Sequence, residues 1–322
     1  MAANLIYWDD WIETWIKLNQ RGMKFIRSKF NLSGKQRTIS SFSHGFEHAN
    51  WWIIPALKER TNFLISGDSK INYEQYLTKN YFKNDGTETL VSYGCGIGSH
   101  ETLLAELNPQ LRIKAYDISE ELINNAKQNA QQKGLNNIEF INEDVYQLKI
   151  QENSVDYYLF NASLHHFSEI EKFVGQKLYP TLKKNGLIII NEYVGPNRMN
   201  FPKKQIAYSN RCLREVISKE NRKILGLNAY KTRCYRLGNL RMKLSDPSEC
   251  VDSASILPVL RKYFEELEFK KLGGNILVPV LKHIAHHFVN KNQNELEELI
   301  RREETYLLNN ASDLVFAIYK KN

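Results

Sequence analysis

Three glycines at every second position, Gly94, Gly96 and Gly98, follow directly on the apolar, β-favouring run Thr89-Leu90-Val91-Ser92-Tyr93 and lead into a helical pattern. Backbone without side chains can turn sharply and approach a ligand closely, and the free N–H groups at the start of the next helix point at that ligand. This is the composition of a nucleotide-cofactor loop. Asp117 ends a second apolar run and stands 19 residues beyond Gly98, where a doubly wound sheet places an acid that can bind both ribose hydroxyls. Asp144 ends a third run, where an acid can accept from an adenine amino group. Tyr93 and Cys95 in the loop, Ile118 and Val145 just after the two acids, and Asn161 after the fourth run complete the expected cofactor-lining set.

The residues able to act on a second substrate come later. His165 and His166 follow the fourth run, and either can serve as a base near neutral pH. Glu192 and Tyr193 close the fifth run and are rival candidates for holding an acceptor. Gly195-Pro196 then stops that strand at its carboxyl end, the edge on which open α/β sheets bind ligands, which aims Asn197 and Arg198 near the pocket. The Arg198 guanidinium suits an anionic substituent. Upstream, His44, His48 and Trp51 are candidates to border the same site.

The ordered set of motifs over roughly residues 85–195 resembles the class I S-adenosylmethionine-dependent methyltransferases. A dehydrogenase more often shows G-x-G-x-x-G, whereas the third glycine here comes one residue early. The Leu164-His165-His166 element is similar to the small-molecule branch that includes quinone-biosynthesis methyltransferases, and the phrases around 48–57 and 192–198 to an uncharacterised bacterial subgroup. The resemblance implies S-adenosyl-L-methionine as cofactor and S-adenosyl-L-homocysteine as product. It also implies a Rossmann-like, mostly parallel seven-stranded sheet of order 3-2-1-4-5-7-6 whose last strand runs antiparallel. One position departs: the family usually carries an acid two residues before the first glycine, facing the cofactor's amino-acid end, and this chain has Ser92. Methyl transfer from a sulfonium is an in-line displacement at an activated carbon, so the protein mainly orients a nucleophile and excludes water, and no metal is obligatory.

The elements that must hold these residues follow from periodicity. Residues 1–85 read as a helical cap, with Trp8, Trp11, Ile12, Trp15 and Ile16 forming an apolar stripe expected to face the core. Residues 86–322 read as the methyltransferase domain with a basic helical insertion over 195–257. A helix is expected over 254–264, the sixth strand over 267–272, two helices over 276–309 and the seventh strand over 313–320. His283, His286 and His287 share that helical stretch without the H-E-x-x-H spacing of a zinc protease, and read as helix-surface or subunit-contact residues, compatible with a homodimer.

Composition bounds the rest. The 322 residues, 42% apolar and 11% aromatic, are enough for a substantial core and exclude a disordered chain. No apolar stretch approaches the roughly 18 residues of a membrane span, and the start lacks a basic-then-apolar leader, so a cytoplasmic location is expected. Cys95, Cys212, Cys234 and Cys250 have no C-x-x-C spacing, which argues against a disulfide framework or a cysteine zinc site. The net charge of +8 is regional: residues 198–243 carry thirteen Lys or Arg against Glu215 and Glu220, a local +11. That segment reads as a solvated face or as an anion-attracting cover. The expected function is methyl transfer to O or N of a small-molecule, sugar, lipid-precursor or peptide-derived acceptor, tilted toward an anionic one. An RNA methyltransferase using the same basic surface, and a non-catalytic cofactor-binding protein, are the alternatives.

Overall fold

The computed structural model describes residues 7–30, 51–236 and 238–322, and their side chains except at 21–30, 244 and 245. The chain divides into two compact units. One comprises residues 62–194, 251–270 and 315–322; the other comprises 1–61, 195–250 and 271–314.

The first unit carries the sheet. Its strands are β1 (Thr89–Tyr93), β2 (Arg112–Asp117), β3 (Ile138–Asn142), β4 (Val155–Asn161), β5 (Leu182–Tyr193), β6 (Glu265–Gly273) and β7 (Leu314–Lys320). Their order is 3-2-1-4-5-7-6, as the resemblance implied. The first five pair in parallel; β1 and β4 are apolar runs buried almost throughout, whereas β3 at the sheet edge is only partly buried. Lys321 N–H donates to Gly186 O while Asn185 N–H donates to Lys321 O, so the end of β7 lies beside the start of β5 and the two run in opposite directions. A continuous core of Val91, Tyr158, Phe160, Leu178, Ile188, Ile190, Leu260 and Tyr319 backs the sheet.

Register fixes where the strands end. Tyr93 of β1 sits opposite Tyr116 of β2, so both strands finish together and the following residues share one edge. Asn161 of β4 likewise sits opposite Asn191 of β5. Because ligand sites in open α/β sheets form outside these carboxyl ends, this register gathers the glycine loop, Asp117 and the residues after Asn161 on one side.

The second unit has its own core of Trp51, Ile54, Leu57, Cys212, Leu213, Ile276, Leu281, Phe288 and Leu296. Helix α1 (Trp8–Phe30) belongs to it and differs from the sequence expectation. Ile16 is buried, but Trp8, Trp11 and Trp15 are 75%, 67% and 50% exposed, while Asp10 and Glu13 face inward. The periodicity was legible and the side was not, because the inward acids meet donors from distant segments: Glu13 pairs with the cations of Arg241 and Lys282 and bonds the His283 ring.

The histidine stretch also differs. The helix Leu277–Leu281 stops before it, His283 takes a left-handed φ of 71°, and a separate 3-10 turn begins at Ala285. His283 is therefore buried on Glu13, not aligned with His286 and His287 on one helical face. Much of the basic segment is structural. Arg198, Arg222, Lys231 and Arg236 each donate to backbone carbonyls, and Arg233 and Arg241 pair with Asp9 and Glu13. Burial lowers the Lys231 ammonium to about 8, and three carbonyls, of Pro279, Val280 and Lys282, hold it at 2.6–2.9 Å.

Candidate active site

The loop after β1 is locked onto β2. Gly94 and Cys95 both donate to Tyr116 O at 2.8 and 3.1 Å, which turns the chain back across the sheet edge. Asp117 then closes the structure: its Oδ2 accepts from Gly96 N–H at 2.9 Å and its Oδ1 from Ser119 N–H at 2.8 Å. Two of the glycines are dictated by what packs on them. A Cβ at Gly94 would lie 2.7 Å from Ser163 Cβ, and one at Gly98 would lie 2.3 Å from the Phe140 ring. Both also have positive φ, 73° and 68°, which L side chains adopt at a cost. A Cβ at Gly96 would meet nothing within 4 Å, so the middle of the loop faces open space, as a backbone that receives a ligand must.

Gly94 packing on Ser163 brings the segment after β4 against the loop. Ala162, with φ 50° and its N–H on Asn191 O at 2.8 Å, bends the chain out of the strand. Leu164–His166 follows as a 3-10 turn. Glu192 organises this turn from beneath. Its carboxylate is fully buried; Oε2 accepts from Ser163 N–H at 2.7 Å and Leu164 N–H at 2.6 Å, and Oε1 accepts from Tyr193 N–H at 2.9 Å and bonds His165 Nδ1. A carboxylate is acceptor-only, so Nδ1 carries the proton in this pair and a neutral His165 has its lone pair at Nε2. The His166 ring lies 4.2 Å from that of His165, and the Tyr193 ring stands edge-on at 6.3 Å.

A second buried carboxylate lies under the loop, and the sequence reading did not include it. Glu101, in the first turn of the helix Ser99–Leu107, accepts from Ser92 Oγ through Oε1 at 2.7 Å. Its Oε2 has no hydrogen-bond partner, and burial pushes the carboxyl up against the opposing pull of the Ser92 bond. Next to it, His100 Nδ1 lies 2.5 Å from Glu74 Oε1; burial would lower this histidine, but the Glu74 bond and charge raise it. The available signal was the pair itself, an uncharged residue two before the first glycine and an acid nine residues on. A first-turn acid is otherwise read only as a partner of the helix dipole.

Other expected residues have different placements. Tyr93 is turned into the core, its ring 5.5–6.2 Å from Tyr116, Tyr158, Phe160 and Phe173, so only its backbone borders the loop. Val145 is core as well, and Ile118 is half-buried. Burial, with the charges of Glu101 and Asp117, pushes the Cys95 thiol far up, so it is no nucleophile at neutral pH. Asn161 accepts from Asn191 Nδ2 at 2.8 Å, and half-buried Asp144 accepts from Tyr146 N–H at 3.1 Å. Glu192, expected to hold an acceptor, is enclosed by its four partners, Ser163, Leu164, His165 and Tyr193.

In the second unit Trp51 is a core residue whose ring lies 4.3 Å from that of Trp52, tilted by 32°. Asn197 lies in a short 3-10 turn. The Arg198 Nη1 donates to the carbonyls of Pro247 at 2.7 Å and Glu249 at 3.1 Å, which braces that loop. His44 and His48 lie outside the described residues.

A family model described as a methyltransferase domain matches residues 84–241. Among solved structures, the fold is similar to geranyl diphosphate C-methyltransferase from Streptomyces coelicolor A3(2) in complex with Mg2+, geranyl-S-thiolodiphosphate and S-adenosyl-L-homocysteine, with TM-score 0.55, 10% identity, and 91% of this chain and 99% of that one covered. A second structure of that protein, with geranyl diphosphate, gives TM-score 0.50 at 10% identity over 78% and 80% of the two chains. Phosphoethanolamine N-methyltransferase 2 of Haemonchus contortus, in complex with S-adenosyl-L-methionine, gives TM-score 0.47 at 17% identity over 83% and 56%. No curated protein sequence matches the chain significantly. The strand order, the bare loop closed by Asp117 and the match over residues 84–241 agree: this chain carries a methyltransferase domain on the Rossmann-like, class I fold.

Proposed function

We propose that this enzyme methylates oxygen or nitrogen of a small anionic acceptor, with His165 as the base that takes the acceptor's proton and Glu192 as the residue that positions it. The reading rests on one observation: the turn carrying His165 packs through Ser163 onto Gly94 of the cofactor loop, while Glu192 holds Nδ1. When bound, the cofactor supplies a methyl group on a positively charged sulfur. The chain's own groups do the rest. Asp117 and the Gly96 backbone are assigned to the ribose side, Asp144 to the adenine, and Glu101 to the cationic amino-acid end. A positive group beside a buried carboxylate with an unpartnered oxygen gains more than one in water, and it stabilises the ionised acid.

The preference for an anionic acceptor rests on the basic segment, in which Lys203, Lys204, Arg211 and Lys243 are not among the residues spent on carbonyls or buried acids. The same accounting weakens the RNA reading, since six of the thirteen cations are committed within the fold. Calorimetric titration with S-adenosylmethionine and its demethylated product tests the cofactor assignment. Wild-type protein is expected to bind both, and Asp117→Ala and Glu101→Gln each to weaken binding about tenfold or more. Absence of heat from correctly folded wild type would remove the reading. Methyl-labelled cofactor incubated with fractionated extract then distinguishes low-mass acceptors from RNA.

A further inference from the structure

Helix α1 is amphipathic in an inverted sense. Trp8, Trp11 and Trp15 recur at three-to-four residue spacing and stand 75%, 67% and 50% exposed, whereas Asp10, Glu13 and Ile16 on the other side are buried. A helix normally turns its acids to water and its tryptophans to the core. Here the acids of its first turns are paired or hydrogen-bonded inside the unit. Asp9 pairs with Arg233 and accepts from Arg236 N–H at 2.8 Å; Asp10 accepts from Gly238 N–H and Tyr7 N–H, both at 2.8 Å. Burial alone would raise the Glu13 carboxyl, but Lys282, His283 and Arg241 hold it well below its ordinary value. The helix then continues from Lys17 through Arg21, Lys24, Arg27 and Lys29 to Phe30 with no acidic residue.

From this geometry we infer that α1 is a docking surface for an anionic phospholipid bilayer. Indole rings favour the membrane interface because a broad apolar face is joined to one N–H that stays hydrated, and a basic helix adds attraction to acidic headgroups. A contiguous row of three exposed tryptophans is otherwise a poor surface for a protein in water. A second copy of the chain is the weaker occupant, because it would leave the acid-free basic stretch from Lys17 to Lys29 with no anionic counterpart. Attachment is peripheral: among the described residues no helix is long and apolar enough to cross a membrane. The inference is independent of the acceptor and of the roles of His165 and Glu192.

The test is co-sedimentation of the full chain with vesicles of phosphatidylcholine containing about 30% phosphatidylglycerol, against phosphatidylcholine alone. Binding is expected to the anionic vesicles, to weaken as salt rises, and to fall about tenfold or more in the W8S/W11S/W15S variant, whose melting temperature should match wild type because these side chains are exposed. Quenching of wild-type tryptophan fluorescence by brominated lipid gives the same answer without any variant. Absence of binding to anionic vesicles at low salt overturns the inference, as does binding unchanged by the triple substitution. Concentration-dependent dimerisation abolished by the same substitution, without vesicle binding, assigns the surface to a second copy instead.

Discussion

Glu192→Gln is the most informative perturbation of the proposed site, because the structure dictates how the amide must sit. The native carboxylate receives N–H bonds from Ser163, Leu164 and Tyr193 and holds His165 Nδ1. Glutamine has one acceptor oxygen. Turned toward His165 and Tyr193, it would leave two adjacent buried N–H groups facing an NH2. Turned toward Ser163 and Leu164, it strands only Tyr193 N–H, and His165 escapes by changing tautomer so that Nδ1 accepts from the amide. The second arrangement wins. Its stability cost is one orphaned N–H plus the loss of charge from the remaining bonds, about 2–4 kcal/mol. Its chemical cost is larger: Nε2 now carries the proton and cannot take one, which for general-base catalysis is about 100- to 10,000-fold in turnover. Asp117, the Gly96 amide and Glu101 are untouched, so cofactor affinity should hold within about threefold. Denaturant midpoints, calorimetric affinity and single-turnover rates separate the three quantities. Full turnover in a destabilised E192Q protein would refute the base assignment and leave Glu192 a purely structural residue. Parallel losses in affinity and turnover would refute it too.

Two further outcomes test the physical account of the fold. Gly98→Ala places a methyl 2.3 Å from the Phe140 ring and 3.1 Å from Ala126 Cβ at a φ of 68°, so the expected destabilisation is about 2–5 kcal/mol, whereas Gly96→Ala, with open space around its Cβ, should cost about 1 kcal/mol; equal costs by denaturant titration would contradict the packing argument. Burial pushes the Asp313 carboxyl up to about 7 despite the Gln205 bond of 2.7 Å. The folded chain therefore holds an extra proton between pH of about 4 and 7, and stability falls as pH rises through that window and is level above it. Asp313→Asn keeps an acceptor for Gln205 and should remove the slope, gaining up to about 4 kcal/mol at pH 8; parallel pH curves for the two proteins would disprove it.

The sheet was legible because its signals are local. The first five strands each hold an apolar run and end at or just before a Gly, Asp or Asn, while β6 is mostly charged and exposed; the loop after β1 needs bare backbone whatever surrounds it. Of the candidate site, the sequence showed which segments would meet: Asp117 reaches the loop, and the Leu-His-His turn packs against it. Function within the site was less legible. Glu192 was read as a group that faces an acceptor, yet four donors converge on it from residues 27 to 29 positions upstream and from its own neighbour. Nothing adjacent to Glu192 in the chain announces that burial. Arg198 is a similar case, since the carbonyls that bind it come from the loop about fifty residues later.

The orientation of α1 shows the general form of this difficulty. A period of 3.6 tells which residues share a face; the choice between faces is settled by what the rest of the chain offers. For α1 the deciding groups are Arg233, Gly238, Arg241, Lys282 and His283, all more than 200 residues away, which satisfy three acids and so make the polar side the one that can be buried. Ser92 and Glu101 obey the same logic on a smaller scale. Scanned position by position, the strand end lacks a carboxylate; folded, the first helical turn brings one to within 2.7 Å of that serine. A motif specifies where an atom is usually supplied, and the chemistry requires only that some residue deliver it.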